Sequence, residues 1–134
     1  MAKMPLEVIS FLKSPETRIV VGFVDADGAP NLLPKGKLLI VDDETVAFAD
    51  RKNIILLTDF KANDNASIYA SVKEEHFGYQ IKGTFQEYQV SGILFDKWAE
   101  ELMGGPAGDL VRMGLIKVDK IYSFVSGAHG KQIV

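Results

Sequence analysis

The chain has 134 residues, 47% hydrophobic and 25% charged, with a formal net charge of −3 and a pI near 5.3. That length and balance predict one globular domain over residues 1–134, able to bury roughly two-thirds of its unfolded surface without staples. The acidic balance excludes a broad nucleic-acid track, and the absence of cysteine excludes disulfide scaffolds, thiolate metal sites and cysteine nucleophiles.

The start, MAKMPLEVISFLKSPETR, carries acids and a proline inside a short apolar pattern. It predicts neither a signal peptide nor a membrane span, and so a cytoplasmic protein. Within it, residues 5–13 place Leu6, Val8, Ile9 and Leu12 at helical spacing behind Pro5, a tolerated first-turn residue. TRIVVGFVDADGAPNLLPKGKLLIVDD then gives a β-branched run, a turn at Asp25-Ala26-Asp27-Gly28 and a second extended run. TVAFAD gives a third after the acidic turn Asp42-Asp43-Glu44, so three successive strands of a meander are predicted.

NIILLTDFKAN reads as a helix with Asp50 or Asn53 as its cap. NASIYASVKEE and GYQIKGTFQEYQV read as two strands joined tightly through Glu74, Glu75, His76 and Phe77. In the second, Tyr79, Ile81, Gly83 and Phe85 alternate with polar residues. GILFDKWAEELM, residues 92–103, is the clearest amphipathic helix, with Leu94, Phe95, Trp98 and Leu102 as its apolar stripe. A last long strand, LVRMGLIKVDKIYSFV, precedes a tail from Ser126 expected to trail off. About six strands and few short helices predict a mainly β (α+β) fold, a closed antiparallel barrel with helices outside; no dinucleotide or P-loop signature occurs.

Few residues suggest chemistry. The acid pairs sit in turns, His76 and His129 lack metal-ligand spacing, and no serine lies in a nucleophile elbow, so neither a catalytic nor a metal site is expected. Trp98 and Phe95 read as core or interface residues. The cations are more informative. Lys35 and Lys37 flank Gly36 in an apolar run and, at i and i+2, are expected on one face of a strand. Arg51 and Lys52 follow a strand end and precede the amides of Asn53 and Ile54 at a helix start. That turn is either a phosphate clamp or a solvated loop.

The order of DADGAPNLLPKGKLLIVDDETVAFAD, KANDNASIYA, GYQIKGTFQ, FDKWAEEL and IKVDKIYSF resembles the pyridoxamine 5′-phosphate oxidase-like family of FMN-binding split-barrel proteins, in particular its small single-domain flavoproteins. The resemblance covers nearly the whole chain. It implies a homodimer of six-stranded split barrels with FMN between subunits, acting as an oxidoreductase or electron carrier on a small molecule, with no nucleic-acid or membrane partner. Carried over by position, Pro34, Lys35, Gly36 and Lys37 line the flavin ring, Ala49 and Asp50 form a second edge, and Gln80 contributes from nearby. The usual phosphate-gripping pair falls on Ile55 and Leu56, which cannot supply charge-assisted hydrogen bonds. Arg51 and Lys52, with the Asn53 amide, are expected to take over. The alternatives are a non-catalytic barrel dimer without that grip, and a deazaflavin-dependent reductase of the same fold.

Overall fold

The computed structural model describes residues 3–51, 63–72, 75–103, 110–125 and 127–134. In chain order these form α1 (Leu6–Lys13), β1 (Thr17–Val24), β2 (Pro30–Lys35), β3 (Leu39–Asp42), β4 (Thr45–Arg51), β5 (Asn65–Val72), β6 (Glu75–Gln89), α2 (Ile93–Met103), β7 (Leu110–Ser123) and β8 (Lys131–Gln132). The helix expected from Asn53 lies outside the described residues.

All eight strands belong to one antiparallel sheet, ordered β2-β1-β5-β6-β7-β4-β3, with β8 added to β7. Laid flat, β2 and β3 would be about 29 Å apart at ordinary strand spacing. Only Gly36, Lys37 and Leu38 join them, a connection that reaches at most about 14 Å from Lys35 to Leu39. The sheet must therefore curl until its two edges approach each other. Among the described residues it does not close: β2 pairs only with β1, and β3 only with β4.

This corrects several expectations. The barrel is split, as the resemblance implies, rather than closed as the strand pattern alone suggests; the described residues hold eight strands, because the second extended run breaks at Gly36 into β2 and β3 and the tail adds β8. The first strands do not form a meander, since β2 and β3 sit at opposite ends of the order. Glu75, His76 and Phe77 belong to β6 rather than to a turn. The tail also returns. Gly127, His129 and Gly130 take positive φ values of 85°, 51° and 81°, which turns the chain back so that β8 pairs with Tyr122 and Ser123.

Strand alternation explains the interior. Val21, Phe23, Val46, Phe48, Ile68, Ile81, Ile116 and Ile121 point inward and are buried, and α1 adds Val8 and Leu12 to the same cluster. A second cluster lies outside the barrel, where α2 sets Phe95, Trp98 and Ala99 against Leu39, Ala47, Met113 and Leu115. The stripe expected at Phe95 and Trp98 is thus a packing face. Burial of one such side chain contributes about 1.5–3 kcal/mol. Pro30 and Pro34 occupy the edge strand β2, where a missing backbone donor is tolerated and further strand addition is discouraged. The turn after β1 forms as expected: Asp25 Oδ1 accepts from the amides of Asp27 (3.0 Å) and Ala29 (2.9 Å), and Gly28 supplies a φ of 84°.

Candidate functional site

The inward positions of β4 are Val46, Phe48 and Asp50, at i, i+2 and i+4, and all three are 0% exposed. Asp50 is therefore a carboxylate on a core face, and burying it requires compensation. Two cations supply it. Oδ1 accepts from Lys35 Nζ at 2.8 Å, and Oδ2 from Arg112 Nε at 2.8 Å. Lys35 Nζ also donates to the Ala49 carbonyl at 3.0 Å and lies 5.5 Å from the Phe48 ring centroid. The Arg112 guanidinium stacks 3.8 Å from the Tyr88 ring centroid. Burial pushes the Tyr88 phenol up to about 12, with Arg112 opposing the shift and Asp50 adding to it.

This network ties β2 to β4, which share no backbone pairing, and so clasps the split in the barrel. It brings Lys35, Ala49 and Asp50 together, as expected of neighbours in one site, but it turns the Lys35 ammonium inward. Lys37 does not share its face. β2 ends at Lys35, so strand alternation stops there, and Lys37 instead reaches Glu101 on α2 at 3.6 Å, with both side chains about half exposed. Pro34, Gly36 and Arg51 are exposed at the same end of β2 and β4, and space is open where a Gly36 side chain would stand. Lys52 and Asn53, like Ile55 and Leu56, lie outside the described residues.

Gln80 stands apart, on the outer face of β6 between Tyr69 and Tyr122 in register, and its Nε2 donates to Ser67 Oγ at 3.1 Å. That face carries a cleft of about 410 Å³ lined in part by Gly22, Leu32, Ser67, Lys82 and Lys120. Arg112, Tyr88 and the cleft lysines were not singled out in the sequence. An acid at Asp50 and a base at Arg112, each inside an apolar strand, were the available signals for the buried pair. No group of metal-ligating side chains occurs among the described residues, and no helix there is long and apolar enough to cross a membrane.

No protein-family model and no curated protein sequence matches the chain. Solved structures do. HupZ of Group A Streptococcus matches with a TM-score of 0.73 at 28% identity, over 93% of this chain and 97% of that one. An FMN-binding protein from Syntrophomonas wolfei subsp. wolfei matches with a TM-score of 0.68 at 15% identity, over 90% of each chain. A Clostridium acetobutylicum protein of the pyridoxinephosphate oxidase family, related to general stress protein 26 of B. subtilis, gives 0.66 at 16% identity, over 96% and 90%. The fold is that of the pyridoxamine 5′-phosphate oxidase-like split barrels. Within that split-barrel frame, Pro34, Gly36, Ala49 and Arg51 stand at the open end of β2 and β4, and the clasp beside them is built from Lys35, Asp50 and Arg112.

Proposed function

We propose that this split-barrel protein binds FMN, assembles as a homodimer with the cofactor at the subunit interface, and works in the cytoplasm as an oxidoreductase or electron carrier for a small molecule. The observation that carries this reading is the shared fold with an FMN-binding protein over 90% of both chains. Single-domain organisation over residues 1–134 is part of the same proposal.

The residues at the open end fit the group in part. Exposed Arg51 ends β4 and would supply positive charge for a phosphate, with Lys52 and Asn53 following it in the sequence; exposed Lys37 and the backbone of Pro34 and Gly36 would supply donors and acceptors for a planar ring. Lys35 and Asp50 serve differently from the expectation that they line the ring directly. Each neutralises the other inside the barrel, so they hold the β2 and β4 ends in position beneath the ligand. Gln80 faces outward from a different part of the sheet and would reach the cofactor of a second copy. Exposed Tyr69 and Phe124, packed edge to face at 6.1 Å on that outer face, are the kind of surface a second copy covers. Bound FMN supplies hydride or electron transfer, which requires no acid or base catalyst from the protein.

The visible spectrum of the purified protein tests the reading. Flavin bands, with FMN released on denaturation, support it; a colourless protein that takes up no added FMN refutes it. Preference for a deazaflavin in the same titration would assign the other cofactor. Substituting Arg51 and Lys52 together by Ala is expected to weaken FMN binding, and unchanged affinity would remove the proposed phosphate grip.

A further inference from the structure

One row of in-register residues crosses the outer face of the sheet: Leu32 on β2, Gly22 on β1, Ser67 on β5, Lys82 on β6 and Lys120 on β7. All five line the cleft of about 410 Å³, a volume within the range of small-molecule sites. Along the row the chemistry changes from a branched alkyl group, through no side chain, to a hydroxyl and then two ammonium groups. From Gly22 to Lys82 is two strand spacings, about 10 Å. That is the length of a small bicyclic body bearing one acidic group.

Three local features support a ligand at the cationic end. Lys82 and Lys120 stand directly opposite each other on paired strands, an arrangement that repels unless an anion intervenes, and among the described residues neither forms an ion pair. A bulge brings them there: Lys82 pairs with Lys120 and Gly83 with Val118, which leaves Asp119 as the extra residue. Asp119, the only acid lining the cleft among the described residues, accepts a 2.6 Å hydrogen bond from Thr84 Oγ1. Lys82 Nζ sits 5.1 Å from the Tyr122 ring centroid, which limits where its charge can go. Ser67 Oγ already accepts from Gln80, so its own O–H remains to donate. At the other end Gly22 brings no side chain and the Leu32 side chain leans toward it. A Cβ there would stand 2.8 Å from Leu32 Cδ2, so a larger residue would push Leu32 aside and fill the space.

We infer that this cleft is a second ligand site, for a small organic anion whose apolar body lies against Leu32 beside Gly22 and whose carboxylate or phosphate sits between Lys82 and Lys120. None of the residues expected around FMN lines the cleft itself, and Gln80 touches it only through Ser67, so the FMN competition below separates this site from the flavin reading.

The test follows amide chemical shifts of the full chain during titration with 2-naphthoate, 2-naphthyl phosphate and the neutral 2-naphthylmethanol. The acids are expected to move Gly22, Leu32, Ser67 and Lys82, and the tighter of the two identifies the anionic group. Lys82→Met with Lys120→Met keeps the alkyl stems and should weaken the acids about tenfold or more while leaving the alcohol unchanged. Gly22→Val should weaken all three. Shifts confined to another surface, equal binding of acid and alcohol, or unchanged acid affinity in the double variant would each overturn the inference. Saturating FMN should leave the naphthoate shifts in place. Displacement by FMN would make the cleft the flavin's own and refute a separate site, whereas a protein that binds naphthoate but no FMN would refute only the flavin reading.

Discussion

The clasp at Asp50 provides a sharp mechanical test. Asp50→Asn preserves shape but removes the charge that two cations share. The carboxylate presents one oxygen to Lys35 Nζ and the other to Arg112 Nε, each at 2.8 Å; an amide has one oxygen and must turn N–H groups toward the second donor. Lys35, only 5% exposed along its side chain, then keeps a buried charge without a counterion. Removing one member of a buried pair costs about 3–5 kcal/mol. With an unfolding entropy of about 0.28 kcal/mol/K for 134 residues, the melting temperature should fall by about 11–18 °C. Glu101→Gln provides the control, because its 3.6 Å contact with Lys37 is about half exposed and should contribute no more than about 1 kcal/mol. Urea unfolding followed by circular dichroism measures both, with midpoints compared at constant slope. Adding Lys35→Met to Asp50→Asn should recover part of the loss, since the stranded ammonium is gone. Equal effects of Asp50→Asn and Glu101→Gln would refute the clasp.

Gly114→Ala should destabilise by about 1–3 kcal/mol in the same assay, because the new Cβ would fall onto the Phe48 ring, which is fully buried and cannot swing away. Tyr88 holds its proton more tightly folded than unfolded, so stability should decline as pH rises from the ordinary tyrosine value of 10 toward about 12. Melting curves of Tyr88→Phe should show a shallower decline, and identical slopes would contradict the burial of the phenol. For Asp25 the sign is reversed. The Ala29 amide is the main cause holding its carboxyl below the ordinary 3.8, so its contribution is present above that value and is lost as pH falls through the folded value. The stability difference between wild type and Asp25→Asn should shrink in that acid range; a constant difference would contradict the turn hydrogen bonds.

What the sequence determined by itself is local. Alternation in TRIVVGFV and GYQIKGTF, the stripe of Phe95 and Trp98, and the Asp25–Gly28 turn depend on residues two to four apart, and each is found in place. The meeting of the Pro34–Lys37 run with Ala49 and Asp50 was legible too, through Lys35, though not its role. Its internal geometry was not. Whether Lys35 faces a ligand or the core depends on where β2 stops, and that depends on the curl of the whole sheet.

Only the tertiary structure decided the pairings. Asp50 meets Arg112 across 62 positions of chain because β4 and β7 align in one register, and Lys82 meets Lys120 because a bulge at Asp119 shifts another. Side-chain periodicity fixes which face of a strand is buried, but the same pattern is compatible with many neighbours. Burying every inward face at once, with a three-residue link forcing two sheet edges together, selects among them. That selection sets an aspartate between two cations at the split and leaves two lysines side by side over an open cleft.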